Sequence, residues 1–135
     1  MKFKFLEHTA DIKFRAEGKN EEEVFKNSAL ALKEVICDKK KIKELKSKKI
    51  KIEGKDLESL LYNFLEQIIY LLEAENFLIS SIREIKIKNL KLKAVILGDK
   101  ASNYEFNNEV KAVTYNEMFV KKEKGKWVSQ VVLDV

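Results

Sequence analysis

Few residues of this 135-residue chain have the types and spacing for chemistry, and the side chains that come first are its one histidine, His8, and its one cysteine, Cys37. Separated by a helix-patterned stretch, they could pair as nucleophile and base only by accident of the fold. Cys37, near the end of an amphipathic segment, reads as a small core residue. Zinc needs more nitrogen and sulfur ligands than these two supply. Gly54 and Gly98 stand alone, so no phosphate-cradling loop is present. Oxygen chemistry remains. Asp11 sits in LEHTADI, a short polar interruption between two alternating segments. Asp134 is penultimate, and Val135 contributes a main-chain carboxylate that is ionised at neutral pH. If the last strand lies beside the loop after the first, three carboxylates converge and their repulsion calls for a cation among them. A hard ion such as Ca²⁺ or Mg²⁺ suits such oxygens. Against this stands the ordinary behaviour of solvated aspartates and fraying termini, and the residues by themselves favour no site.

Elements must position these groups. Phe3 and Phe5 alternate with Lys2 and Lys4, and Ile12, Phe14 and Ala16 with Lys13, Arg15 and Glu17, which predicts two half-buried strands broken only across His8 to Asp11. Asn20 and Glu23 form a capping pair for a helix over about 20–37, where Val24, Phe25, Ser28, Ala29, Leu32, Val35 and Ile36 recur at helical spacing. Ile50 and Ile52 mark a short strand. Gly54 and Asp56 open a second helix reaching about residue 75, apolar around most of its circumference and so expected to be covered on two sides. Its polar stripe is Asn63, Glu66, Tyr70 and Glu73. Strands follow near 82–88 and 90–97, then a polar turn region from Gly98 to Asn108, a strand at 110–115, a hairpin through Lys122 to Lys126, and the last strand WVSQVVLDV. The economical architecture is one α+β domain over 1–135, a mostly antiparallel sheet with two helices packed on one face.

An apolar content of 45% supports one core, and with no proline and four glycines the chain has no linker composition. The single cysteine precludes an intramolecular disulfide, and the start MKFKFLEH lacks a secretory pattern, so a reducing cytoplasm is the expected location. The most apolar segment, LESLLYNFLEQIIYLLEAENFL, is interrupted by Glu58, Asn63, Glu66, Gln67 and Glu73 and reads as a buried helix, not a membrane span. The net charge of +5 would suit a nucleic-acid partner, but Arg15 and Arg83 are the only arginines. Bidentate phosphate and base recognition leans on arginine, so the lysines that alternate along the strands read mainly as a solvated face.

FLEHTADIKFRAEGKNEEEVFKNSALALKEVICD resembles the opening of the archease family, DLESLLYNFLEQIIYLLEAENFL its second helix, and EVKAVTYN with WVSQVVLDV its closing motifs. The likeness runs in order from about residue 3 to the C-terminus, and the combination of HTAD, KAVTY and a terminal LDV carries it. The resemblance implies a strand-helix-strand-strand type domain that is not itself an enzyme. It implies a cofactor protein for the RtcB-family RNA ligase of tRNA splicing, promoting ligase guanylylation and multiple turnover and meeting tRNA only through the ligase. It also implies a calcium-like ion on Asp11, Asp134 and Val135, so that the interrupting loop serves to place Asp11. Lys111 in KAVTY becomes a functional, partner-facing residue, where the pattern alone shows one more lysine on a wet strand face. His8 belongs to the motif and is read as serving the loop through a side-chain hydrogen bond, not as a ligand. Two departures bear on partner contacts: Lys13 stands where the family usually has glycine, and Asn116 where histidine usually follows KAVTY. Two other readings compete. A metal-dependent hydrolase or nuclease using the same carboxylates would show turnover by the isolated protein. A basic RNA-binding module would group arginines and surface aromatics on one sheet face, whereas Phe3, Phe5, Phe14, Phe25 and Phe64 sit at core-periodic positions.

Overall fold

The computed structural model describes residues 2–7, 11–38 and 41–135, so His8 lies outside the described residues. The chain runs β1 (Phe3–Leu6), β2 (Ile12–Gly18), α1 (Glu21–Ile36), β3 (Lys46–Glu53), α2 (Leu57–Glu75), β4 (Phe77–Lys88), β5 (Lys91–Lys100), β6 (Ala112–Glu123) and β7 (Lys126–Asp134). Both helices start where their capping residues dictate. The Asn20 side chain accepts from the Glu23 amide at 2.8 Å, while the Glu23 carboxylate accepts from the Lys19 amide at 3.1 Å. Asp56 and Ser59 form a reciprocal capping box at α2, and Asn76 closes that helix in the left-handed conformation at φ 53°.

The fold is α+β with antiparallel strand pairs and two helices, and the strands divide into two sheets. One is four-stranded in the order β1-β2-β7-β6, the other three-stranded in the order β3-β5-β4. Each helix touches strands of both: α1 packs on β2 and β7 and also on β4, and α2 on β6 and also on β3 and β4. This explains why α2 is apolar around most of its circumference, with Leu60, Leu61, Phe64, Leu65, Ile68 and Ile69 all buried. The helices also end the sheets. Glu66 and Glu58 of α2 accept from the Val113 and Val120 amides of edge strand β6 at 2.7 and 2.9 Å, and Glu22 of α1 accepts from the Ile87 amide of edge strand β4 at 3.1 Å. Edge donors bound by a carboxylate are unavailable to another strand.

β6 is longer than the sequence pattern suggests because a bulge hides its period. The β6–β7 register shifts between Thr114 and Phe119, and Glu117 adopts φ 55°. The hairpin expected through Lys122 to Lys126 turns at Lys124 and Gly125, both with positive φ, as a tight two-residue connection requires. Phe5 departs from its expected core position and is exposed, because β1 is a short edge strand; Phe14, its partner in the register, is fully buried.

Candidate functional site

β7 lies between β2 and β6, paired with Leu133 opposite Ile12 on one side and Asp134 opposite Ala112 on the other. Just before those partners in the chain come Asp11, half-buried in a bend, and Lys111, whose amide donates to the Asp134 carbonyl at 2.8 Å. Asp134 is exposed, and Val135 packs half-buried against the core. β7 is therefore paired on both sides as far as Leu133 and on the β6 side at Asp134 as well. Pairing register alone brings Asp11, Asp134, Val135 and Lys111 to one end of one sheet.

The loop before Lys111 is tied to the end of α1. Its amides and side chains cap the C-terminal end of α1: the Asn107 amide donates to the Ile36 carbonyl at 2.8 Å, and the Asn108 side chain to the Val35 carbonyl at 2.9 Å. In return the Asp38 amide donates to the Asn107 side chain at 2.8 Å. Further back, the buried Asp99 carboxylate accepts from the Tyr104 hydroxyl and from the Lys100 amide, each at 2.7 Å. Those two hydrogen bonds, Tyr104 first, hold the Asp99 carboxyl below the usual carboxylate range. The Tyr104 oxygen itself accepts from the Lys43 amide at 2.9 Å. That bond favours the phenolate, but burial and the Asp99 carboxylate leave the Tyr104 phenol above its ordinary value. With its backbone clamped before and after, Lys111 presents an exposed side chain.

The rest of KAVTY ties β6 to α2. Tyr115 stacks on Tyr62 with ring centroids 4.2 Å apart and planes within 7°. Desolvation, with Tyr62 and Asp56 nearby, pushes the Tyr115 phenol upward. Lys13 donates to Glu117, the residue after Asn116, at 3.2 Å. Lys13 and Thr114 both pair with Val132, which is fully buried, so the lysine stem and the β6 bulge lie over the same point of the sheet.

Asp11 also lines a cavity of about 540 Å³ with Glu7, Glu34 and Asp38, so the end of the sheet is acidic on the α1 side. Among the described residues no three His, Cys, Asp or Glu side chains group as a metal site. The donor set suggested by the sequence is of another composition: two side-chain carboxylates and the main-chain carboxylate of Val135. Three carboxylates fit a hard divalent cation and lack the nitrogen and sulfur of a zinc site. Cys37 is buried, and its thiol donates to the Glu105 carbonyl at 3.4 Å, in keeping with a core role. Sequence reasoning missed Glu66, Asn107 and Asn108. Glu66 was visible only as one member of the polar stripe of α2; the two asparagines resembled any polar turn.

Fold and site together define a small α+β domain of two antiparallel sheets, with Asp11 and Asp134 at the end of the sheet where β7 stops. A family model described as "Archease protein family (MTH1598/TM1083)" matches residues 3–135, and the chain belongs to that family. The protein archease of Methanosarcina barkeri is 40% identical over 142 residues, covering 98% of this chain and 95% of that one. That of Pyrococcus abyssi is 39% identical over 141 residues, covering 99% of each. The solution structure of Methanobacterium thermoautotrophicum protein 1598 superposes with a TM-score of 0.84 at 33% identity, covering 99% of both chains. A Thermotoga maritima crystal structure described as "an archease, possible chaperone" has the same fold, with a TM-score of 0.68 at 21% identity over 96% of this chain and 94% of that one. No helix among the described residues is long and apolar enough to cross a membrane.

Proposed function

We propose that this archease is an activator of an RtcB-type RNA ligase in tRNA splicing and RNA repair. It promotes guanylylation of the ligase and its multiple turnover without chemistry of its own. The observation that supports this best is the meeting of Asp11, Asp134, Val135 and the clamped Lys111 at one end of β7. In this reading Asp11, Asp134 and the Val135 carboxylate would hold a divalent ion, Ca²⁺ by preference, which would supply a positive centre there. The chain's own residues do the rest. Clamping of the 104–111 loop fixes where the Lys111 side chain leaves the backbone, and an exposed ammonium forms an ion pair or a phosphate contact with the ligase. An activator works only by binding the productive state of its partner more tightly than the stalled one. Rigid presentation from a sheet end serves that purpose because little ordering remains to be done on docking.

The test is ligase guanylylation with and without this protein in cytoplasm-like, reducing buffer containing Ca²⁺. Activation together with no RNA cleavage by the isolated protein supports the reading. Metal-dependent turnover by the isolated protein would favour the hydrolase or nuclease reading instead.

A further inference from the structure

The three-stranded sheet has a face that the reading above does not use. Its inner rows are apolar: Ile50, Ala94 and Ile85 pair across the three strands, as do Ile52, Leu92 and Ile87. The outer rows between them are cationic. Lys51, Lys93 and Lys86 stand directly opposite one another across β3, β5 and β4, and the row beyond holds Glu53, Lys91 and Lys88. On the other side Lys49 and Glu84 flank Val95. All six lysines are exposed, and a depression in this face is lined by Lys49, Lys51, Lys86, Lys93, Glu84 and Val95. Six lysines against Glu53 and Glu84 leave this one face four positive charges in excess, on a molecule whose whole formal charge is +5. Lys91 reaches Glu53 at 3.8 Å; among the described residues the other five make no ion pair.

Stability does not explain this array. Like charges directly opposite on neighbouring strands, about 4.8 Å apart, destabilise a sheet. The outer face of the four-stranded sheet offers a contrast at two positions: Arg15 donates to Gln130 at 2.8 Å and Lys13 to Glu117 at 3.2 Å, so these two cations are internally engaged. The chemistry also narrows the occupant. Lysine is depleted in protein–protein interfaces, which are anchored by buried aromatics and arginine, and these rows contain neither. Without aromatic rings the face offers no platform for stacking unpaired bases. Lysines present point charges that neutralise phosphates irrespective of sequence.

We propose that the outer face of the β3-β5-β4 sheet, through Lys49, Lys51, Lys86, Lys88, Lys91 and Lys93, docks the phosphate backbone of double-helical RNA. The choice of RNA rests on the ligase reading above; the recognition of a phosphate backbone does not. The face lies on the other sheet from the Asp11 and Asp134 cluster, so the protein can meet a folded RNA and a ligase through different surfaces.

The experiment is fluorescence anisotropy with a labelled hairpin RNA across a salt series, with no ligase present. Its outcome is thereby independent of whether the ligase reading stands. The variants are Lys51→Gln/Lys86→Gln/Lys93→Gln and, as a control of equal charge, Lys121→Gln/Lys122→Gln/Lys124→Gln. Wild-type binding should weaken steeply with salt, and the sheet-face triple should flatten that dependence by about two to three in slope and lower low-salt affinity by about tenfold or more. The control should keep most of the wild-type affinity. Thermal melts of the sheet-face triple should match or exceed wild type, since a repulsion is relieved. Equal affinity of wild type and the sheet-face triple, an equal loss in the control, equal binding of an unstructured single strand, or displacement by polyglutamate at matched charge would each overturn the proposal.

Discussion

Asp11 and Lys111 carry most of the site and are separable by experiment. A ligand that binds only the folded state raises its melting temperature, so Ca²⁺ should stabilise the wild-type protein and leave Asp11→Asn with little or no shift. An equal calcium-dependent rise in both would remove Asp11 from the ligand set. Lys111 is exposed, its amide bond to the Asp134 carbonyl does not involve the side chain, and surface substitutions usually cost less than about 0.5 kcal/mol. Lys111→Ala should therefore unfold in urea like the wild type while losing most of its ligase activation. Full activation by the alanine variant would return Lys111 to the solvated surface. Asp11 and Asp134 were legible in the sequence as carboxylates near a loop and a terminus. What no local pattern could show was that β7 is a central strand, paired on both sides as far as Leu133.

Elements position those residues through contacts that sequence periodicity does not encode. Glu66 reads as part of a polar stripe on α2, yet it accepts the Val113 amide two residues beyond Lys111. Glu66→Ala leaves that half-buried amide unsatisfied and should cost about 1–3 kcal/mol in urea unfolding, with faster amide exchange at Val113; Glu66→Gln, which keeps an acceptor, should be milder. An alanine variant as stable and as protected as wild type would contradict the edge-capping role. The Asp99 and Tyr104 pair makes a prediction in pH. Asp99 titrates lower in the folded state than its ordinary 3.8, so its contribution is present above that value and lost as pH falls through the folded value. Melting temperature should drop in acid for wild type and less steeply for Asp99→Asn; parallel profiles would exclude Asp99 as a source of the acid sensitivity. Both helices and most strands were legible because capping residues and alternation are local signals. Residues 116–121 carry no strand signal in the sequence, because the bulge and the left-handed Glu117 break the two-residue period there.

At the scale of the whole molecule, the sequence pattern suggests a single sheet, whereas the strands form two, with long-range carboxylates on the edge amides of β4 and β6. The buried circumference of α2 was the one local hint, since a helix covered on two sides needs two partners. The same division separates the acidic end of the four-stranded sheet from the lysine rows of the other. β7 lies between β2 and β6, and the proposed function gives the Val135 carboxylate that follows it a ligand role. The most direct measurement is the yield of guanylylated ligase over repeated turnovers, with this archease ending at Val135, with residues added after Val135, and with the same residues added before Met1. A C-terminal extension replaces the charged carboxylate with a neutral peptide carbonyl and routes new chain through the site. The protein ending at Val135 and the N-terminally extended form should both raise the yield, and the C-terminally extended form should fail to. Activation by the C-terminally extended protein equal to that of the protein ending at Val135 would contradict the account.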